Sequence, residues 1–130
     1  MAELIGTATT EKNGLMTSID YLRLMQMFTF SQGAVYKIAK LTGNYRGIWI
    51  IGTECTTSEQ IHATIIKCEG EEFKCNAPTY MTIKWDKSYN IYISVPIGKS
   101  VSAVIYSSYM LKITSVSDFP TDAVDIERSE

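Results

Sequence analysis

From Gly33 to Thr114 the apolar side chains fall into short runs of β-branched and aromatic residues, each closed by turn formers, which is the spacing of an all-β domain. The pattern predicts about eight strands. Ala34 to Leu41 alternates Val35, Lys37 and Ala39 against Tyr36, Ile38 and Lys40 and stops at Thr42-Gly43-Asn44, the form of a half-buried strand. Arg46 to Thr53 is more continuously apolar, with Ile48, Trp49, Ile50 and Ile51 side by side, and is expected at the centre of a sheet with both faces covered. Gln60 to Lys67 and Phe73 to Cys75, joined through Glu69-Gly70-Glu71-Glu72, read as a hairpin. Pro78 interrupts the pattern, Tyr80 to Trp85 resumes it, and Asp86-Lys87-Ser88 leads into Tyr89, Ile91, Ile93 and Val95 on one face against Asn90, Tyr92 and Ser94 on the other. Ser100 to Tyr106 and Tyr109 to Thr114 complete the set. Turns of a few residues with no helix between strands favour an antiparallel β-sandwich or jelly roll, without specifying strand order.

Before Gly33 the spacing is helical. Thr17 suits an N-cap, and Asp20 three residues later places a carboxylate in the first turn, at the positive end of the helix dipole. The predicted helix runs from Ser18 to about Phe30. Ile19, Tyr21, Leu22, Leu24, Met25, Met27, Phe28 and Phe30 are apolar, while Asp20, Arg23 and Gln26 form one narrow polar strip. Two uses fit so wide an apolar surface: packing into the core of its own domain, or burial between subunits. Ile19, Leu22, Met25 or Gln26, and Thr29 follow the spacing of a bundle seam. A helix this short does not hold an oligomer by itself.

A chain of 130 residues with 45% hydrophobic content suits one compact domain with terminal arms. The expected organisation is an extended arm over 1–16, a helical segment over 17–32, the sandwich over 33–114 and an acidic tail over 115–130. No run of about 18 apolar residues occurs, so membrane insertion is not expected. The start Met-Ala-Glu-Leu-Ile-Gly-Thr lacks the features of a secretion signal, so synthesis in a cytoplasm is expected. The net charge of −2 divides into +2 over residues 1–114 and −4 from Ser115 onward. Scattered charge of this kind argues against nucleic acid as a partner. The tail reads as a solvated end, with Phe119, Val124 and Ile126 available to dock on a neighbouring subunit.

The chain is poor in catalytic groups. His62 is the single histidine and alternates with apolar residues in a strand, where a structural role is expected. Glu71 and Glu72 sit in a charged turn and point to opposite faces, so they read as solvation and not as a glycosidase pair. Cys55, Cys68 and Cys75 are odd in number and read as reduced, packed thiols, with spacings that match no common zinc site. The glycines mark turns and strand ends and form no phosphate loop. Neither enzymatic activity, a cofactor nor a metal is expected. Eight tyrosines and two tryptophans are the one set suited to recognition, since sugars stack on such faces. Trp49 and Trp85 are expected to be buried, and Tyr45, Tyr89, Tyr106 and Tyr109, at turns or strand ends, are the candidate glycan contacts.

The segment Ala8-Thr9-Thr10-Glu11-Lys12-Asn13-Gly14-Leu15-Met16-Thr17-Ser18-Ile19-Asp20 through Leu24 resembles a motif of bacteriophage fibre proteins, in which a polar Ala-Thr stretch runs into Gly-Leu-Met-Ser/Thr, an Asp and then an apolar position. The order of Tyr-Lys-Ile-Ala-Lys-Leu, an apolar strand ending at Gly52, and Asn-Ile-Tyr-Ile-Ser-Val is similar to fibre tip domains. The resemblance implies a homotrimer that carries its β-sandwich outward and attaches to a capsid or tail protein through the N-terminus. On this chain that assigns virion attachment to Leu4, Ile5, Thr7 and Thr9, and trimerisation to Leu15, Met16, Ile19, Leu22 and Met25. It also implies residence in the virion and attachment to host-surface polysaccharide. The chain departs from the family in lacking a long repetitive shaft, so a head fibre is as well supported as a tail fibre. The alternative from the residues alone is a lectin-like carbohydrate-binding module without a structural role.

Overall fold

The computed structural model describes residues 24–129, and their regular elements are all strands. In chain order these are β1 (Met25–Phe30), β2 (Val35–Lys40), β3 (Arg46–Glu54), β4 (Glu59–Lys67), β5 (Phe73–Asn76), β6 (Thr82–Trp85), β7 (Asn90–Ser94), β8 (Val101–Ser107), β9 (Leu111–Val116), β10 (Val124–Asp125) and β11 (Glu127–Arg128). They form two sheets, I in the order β1-β8-β3-β4-β5-β11 and II in the order β10-β6-β7-β2-β9. Every pairing is antiparallel except that of β11 with β5. The eight strands expected between Gly33 and Thr114 are all present, and the fold is a mainly-β, two-sheet sandwich.

Period-two alternation builds the core. In sheet I, Ile48 and Ile50 of β3, Ile61, Ala63 and Ile65 of β4, and Val101, Ala103 and Ile105 of β8 turn inward. Sheet II answers with Ile38, Ile83, Trp85, Ile91, Ile93 and Leu111. Burial of these side chains is the main stabilising contribution, at about 1.5–3 kcal/mol for each large one. Gly52 of β3 is required by closeness: a Cβ there would run into the carbonyl oxygen of Ser102 and lie 2.6 Å from Ala103 Cα on β8. No side chain fits between the two strands at that point.

Three expectations are corrected. Met25–Phe30 is strand β1 and not the end of a helix; Ser18 to Arg23 lie outside the described residues. Phe28 and Phe30, two apart, share one face of a strand but would diverge on a helix. Here they meet Tyr36 edge-on, with ring centroids 4.9 and 5.7 Å from it and 5.1 Å from each other. The free edge of β8 supplies the partner, from Met25 opposite Tyr106 to Phe30 opposite Val101.

Second, β3 sits inside sheet I as expected, but only one of its faces is covered among the described residues. Ile48 and Ile50 are fully buried, whereas Trp49 and Ile51 on the opposite face are 38% and 52% exposed. An uninterrupted apolar run does not distinguish two buried faces from one buried and one open.

Third, the C-terminal segment is not simply a solvated end. β10 pairs with β6, β11 pairs with β5, and Ile126 between them is buried. Ile126 N–H donates to Ile83 O at 3.1 Å and Ser129 N–H to Cys75 O at 2.7 Å, so one short segment closes an edge of each sheet. Arg128 donates to Ala77 O at 3.1 Å and also to Met81 O, tying down the β5–β6 connection.

Candidate functional site

The buried charges are committed to holding turns. Glu54, at the end of β3, is fully covered and accepts from Thr56 Oγ1 at 2.6 Å, Thr57 Oγ1 at 2.9 Å, Thr57 N–H at 3.0 Å and Ser100 N–H at 3.1 Å. The Thr56 hydroxyl foremost, with the Ser100 N–H and the remaining donors, outweighs burial and holds its carboxyl at about 2. Asp86 accepts from Ser88 N–H at 2.8 Å, Asn90 N–H at 3.1 Å and the Tyr92 hydroxyl at 2.9 Å. Burial alone would raise its carboxyl, but the bonds from Asn90, Tyr92 and Ser88 together carry it below the usual range. Lys67, at the opposite end of the β3–β4 pair from Glu54, donates to Cys68 O at 3.0 Å, to Gly70 O and to Asn44 Oδ1 at 3.4 Å. Its ammonium also lies over the rings of Phe73 and Tyr89.

Two features open to a partner stand out among the described residues. The first is the outer face of sheet I. Cross-strand register places Met27 beside Val104, Val104 beside Ile51 and Ile51 beside His62. In the next row Tyr106 stands beside Trp49, and Trp49 beside Thr64. Met27 is 77% and Tyr106 42% exposed, so β1, β8 and β3 present a continuous apolar band to solvent. Its end is sealed at Gly47, where an added Cβ would lie 2.8 Å from Ile66 Cδ1 and 2.9 Å from Trp49 Cη2.

The second is a cleft of about 270 Å³ on sheet II, lined by Lys37, Ala39 and Lys40 of β2, Asn90 of β7, Lys112 of β9, and Tyr109 and Met110 of the β8–β9 turn. A register irregularity makes it. Lys37 pairs with Tyr92 and Thr114, but Ala39 pairs with Ile91 and Leu111, so Ile38 has no counterpart on β7 and faces both Lys112 and Ile113 on β9. Such a bulge bends the strand and re-aims its side chains. Lys37 and Lys40, three apart and expected on opposite faces, therefore line one cleft. Tyr109 is fixed by its own N–H donating to Ser107 Oγ at 3.0 Å, by reciprocal bonds between Ser108 and Gly47, and by the Arg46 guanidinium 5.3 Å from its ring centroid. Among the described residues Lys37, Lys40, Lys112 and Arg46 form no ion pair.

Of the candidate glycan contacts, only Tyr109 lines this cleft. Tyr45 is 75% exposed in the β2–β3 turn, Tyr106 belongs to the apolar band, and Tyr89 is half-buried and stacked 5.8 Å from Trp85. The four are not brought together. Met25 opens β1; Leu4, Ile5, Thr7, Thr9, Leu15, Met16, Ile19 and Leu22 lie outside the described residues. Trp85 is buried as expected and Trp49 is not. His62 is exposed on β4, and the three cysteines are free thiols, with Cys75 buried, Cys68 half-buried and Cys55 exposed. Among the described residues no three of His, Cys, Asp and Glu gather as a cation site requires, and no helix is long and apolar enough to cross a membrane. The lysines of the cleft were missed because their convergence depends on the bulge at Ile38.

No family model, no curated protein and no solved structure matches this chain. The class defined by fold and surface is a two-sheet β-sandwich with an exposed apolar band and a basic cleft.

Proposed function

We propose that this chain is a structural virion protein of a bacteriophage, a short homotrimeric fibre on head or tail that is anchored through its N-terminus and displays the sandwich outward for host-surface attachment. The observation that carries the reading is the apolar band on sheet I. It begins on β1, the strand that directly continues the segment bearing the fibre-like motif. Met27, Ile51, Trp49 and Tyr106 exposed in adjacent rows are what a chain working beside copies of itself presents.

The test is the solution mass of the full chain by light scattering, beside that of a Met27→Lys/Ile51→Lys variant. A trimer that the two lysines reduce to monomer supports the fibre. A monomeric parent removes it, and the lectin-like module without a structural role, favoured by the basic cleft, takes its place.

A further inference from the structure

We propose that the cleft between β2, β9 and the β8–β9 turn binds an acidic saccharide, a sugar ring carrying a carboxylate or a phosphate. The proposal deepens the outward-display reading, on which it rests only for the source of the ligand; binding by the isolated chain does not depend on oligomeric state.

Size, shape and charge agree on this class. A volume of about 270 Å³ lies just below the range of roughly 300–1,000 Å³ typical of sites for drug-sized ligands. That admits a ring or two. The exposed apolar lining comes from Met110 and the Tyr109 ring, and an aromatic ring is a surface on which the C–H face of a sugar stacks. Asn90 supplies an amide able to donate to and accept from hydroxyls.

The charge decides between a neutral and an acidic sugar. Lys37, Lys40 and Lys112 line the cleft, no carboxylate lines it, and none of the three is paired among the described residues. The whole chain carries −2, so this concentration of positive charge is local. Three ammonium groups around one concavity attract an anion and leave a neutral ligand without partners for them. A nucleic-acid backbone would need cations extended along a face to match successive phosphates, and these surround a single cleft.

The test titrates the full chain with trigalacturonate, glucose 6-phosphate, maltotriose and a short single-stranded oligonucleotide, at low and high salt, following amide chemical shifts. Binding of trigalacturonate alone assigns a carboxylate and binding of glucose 6-phosphate alone a phosphate; either supports the proposal if shifts centre on Lys37, Asn90, Tyr109 and Lys112 and salt weakens the complex. Tyr109→Ala is expected to weaken binding about tenfold, and Lys112→Gln about threefold to tenfold with a flatter salt dependence. Tyr45→Ala, outside the cleft, leaves it unchanged. Both Tyr109 and Lys112 are exposed, so loss of fold is not expected, and the amide spectrum reports it directly. Equal affinity for maltotriose, tighter binding of the oligonucleotide, no binding of either acidic sugar, or affinities indifferent to Tyr109→Ala and Lys112→Gln overturns the proposal.

Discussion

The Glu54 carboxylate accepts the Ser100 backbone N–H at 3.1 Å, joining the β3–β4 turn to the loop that precedes β8. Cys55 N–H returns a bond to Ser100 O at 2.7 Å, so two loops 46 residues apart share one hydrogen-bonded node. The bonds that Glu54 accepts in this node favour the ionised carboxylate. Its pKa falls from 4.5 to about 2 on folding, so the stability it contributes is fully present above 4.5 and is lost as pH falls toward 2. Thermal melts between those limits should show a declining midpoint. Glu54→Gln should melt lower near neutrality and lose part of this acid dependence, Asp86 supplying a further part; an unchanged acid limb would show that Glu54 does not contribute to it.

At the alkaline end Asp86 and Tyr92 make a contribution of the opposite sense. Burial, with the bond donated to Asp86, pushes the Tyr92 hydroxyl from 10.0 up to about 12. A raised folded pKa contributes stability that is whole below pH 10 and disappears as pH rises through 12. Tyr92→Phe is expected to cost about 1 kcal/mol at neutral pH and to flatten the alkaline limb. Denaturant titrations at pH 8 and in the alkaline range would measure both.

Gly52→Ala tests the closeness of β3 and β8. The added methyl has no free volume beside Ser102 O and Ala103, so the strands must part. A loss of about 1 to 3 kcal/mol is expected. Gly70→Ala, where nothing lies within 4 Å of the new carbon, meets only the strain of a positive φ of 70°. A milder loss there than at Gly52, by urea denaturation, is the expected order.

The C-terminal closure is tested at Ile126. Its side chain is 5% exposed and its N–H bonds Ile83 O. Ile126→Ala is expected to cost about 2 to 4 kcal/mol. It should also speed hydrogen exchange at Ile126 and Ser129, which donate to Ile83 O and Cys75 O. Unchanged protection at those two amides would mean that β10 and β11 do not depend on this anchor.

Much of the sandwich is legible along the chain, because burial on one face of a strand writes itself as alternation. Ile61, Ala63 and Ile65, or Val101, Ala103 and Ile105, need no knowledge of their neighbours to be recognised as inward. Tyr109 was likewise readable as an exposed aromatic at a turn.

What local pattern leaves open is which edge a segment meets. Met25–Phe30 carries apolar positions compatible with helix or strand, and the vacant edge of β8 decides for strand by completing six residue pairs. Val124–Arg128 has too few apolar residues to announce itself, and becomes two strands because β5 and β6 offer unpaired backbone groups above a place for Ile126. The cleft depends on tertiary structure in the same way. Strict alternation separates Lys37 from Lys40, and only the mismatch in residue count between β2 and its two neighbours brings them together with Lys112. Inward-facing positions in regularly alternating strands such as β4 and β8 follow from each residue and its period of two, without reference to neighbours. Pairing partners, the open apolar band and the convergence of three lysines were decided by the tertiary structure, because hydrogen-bond completion between distant strands sets register, and register sets which side chains share a surface.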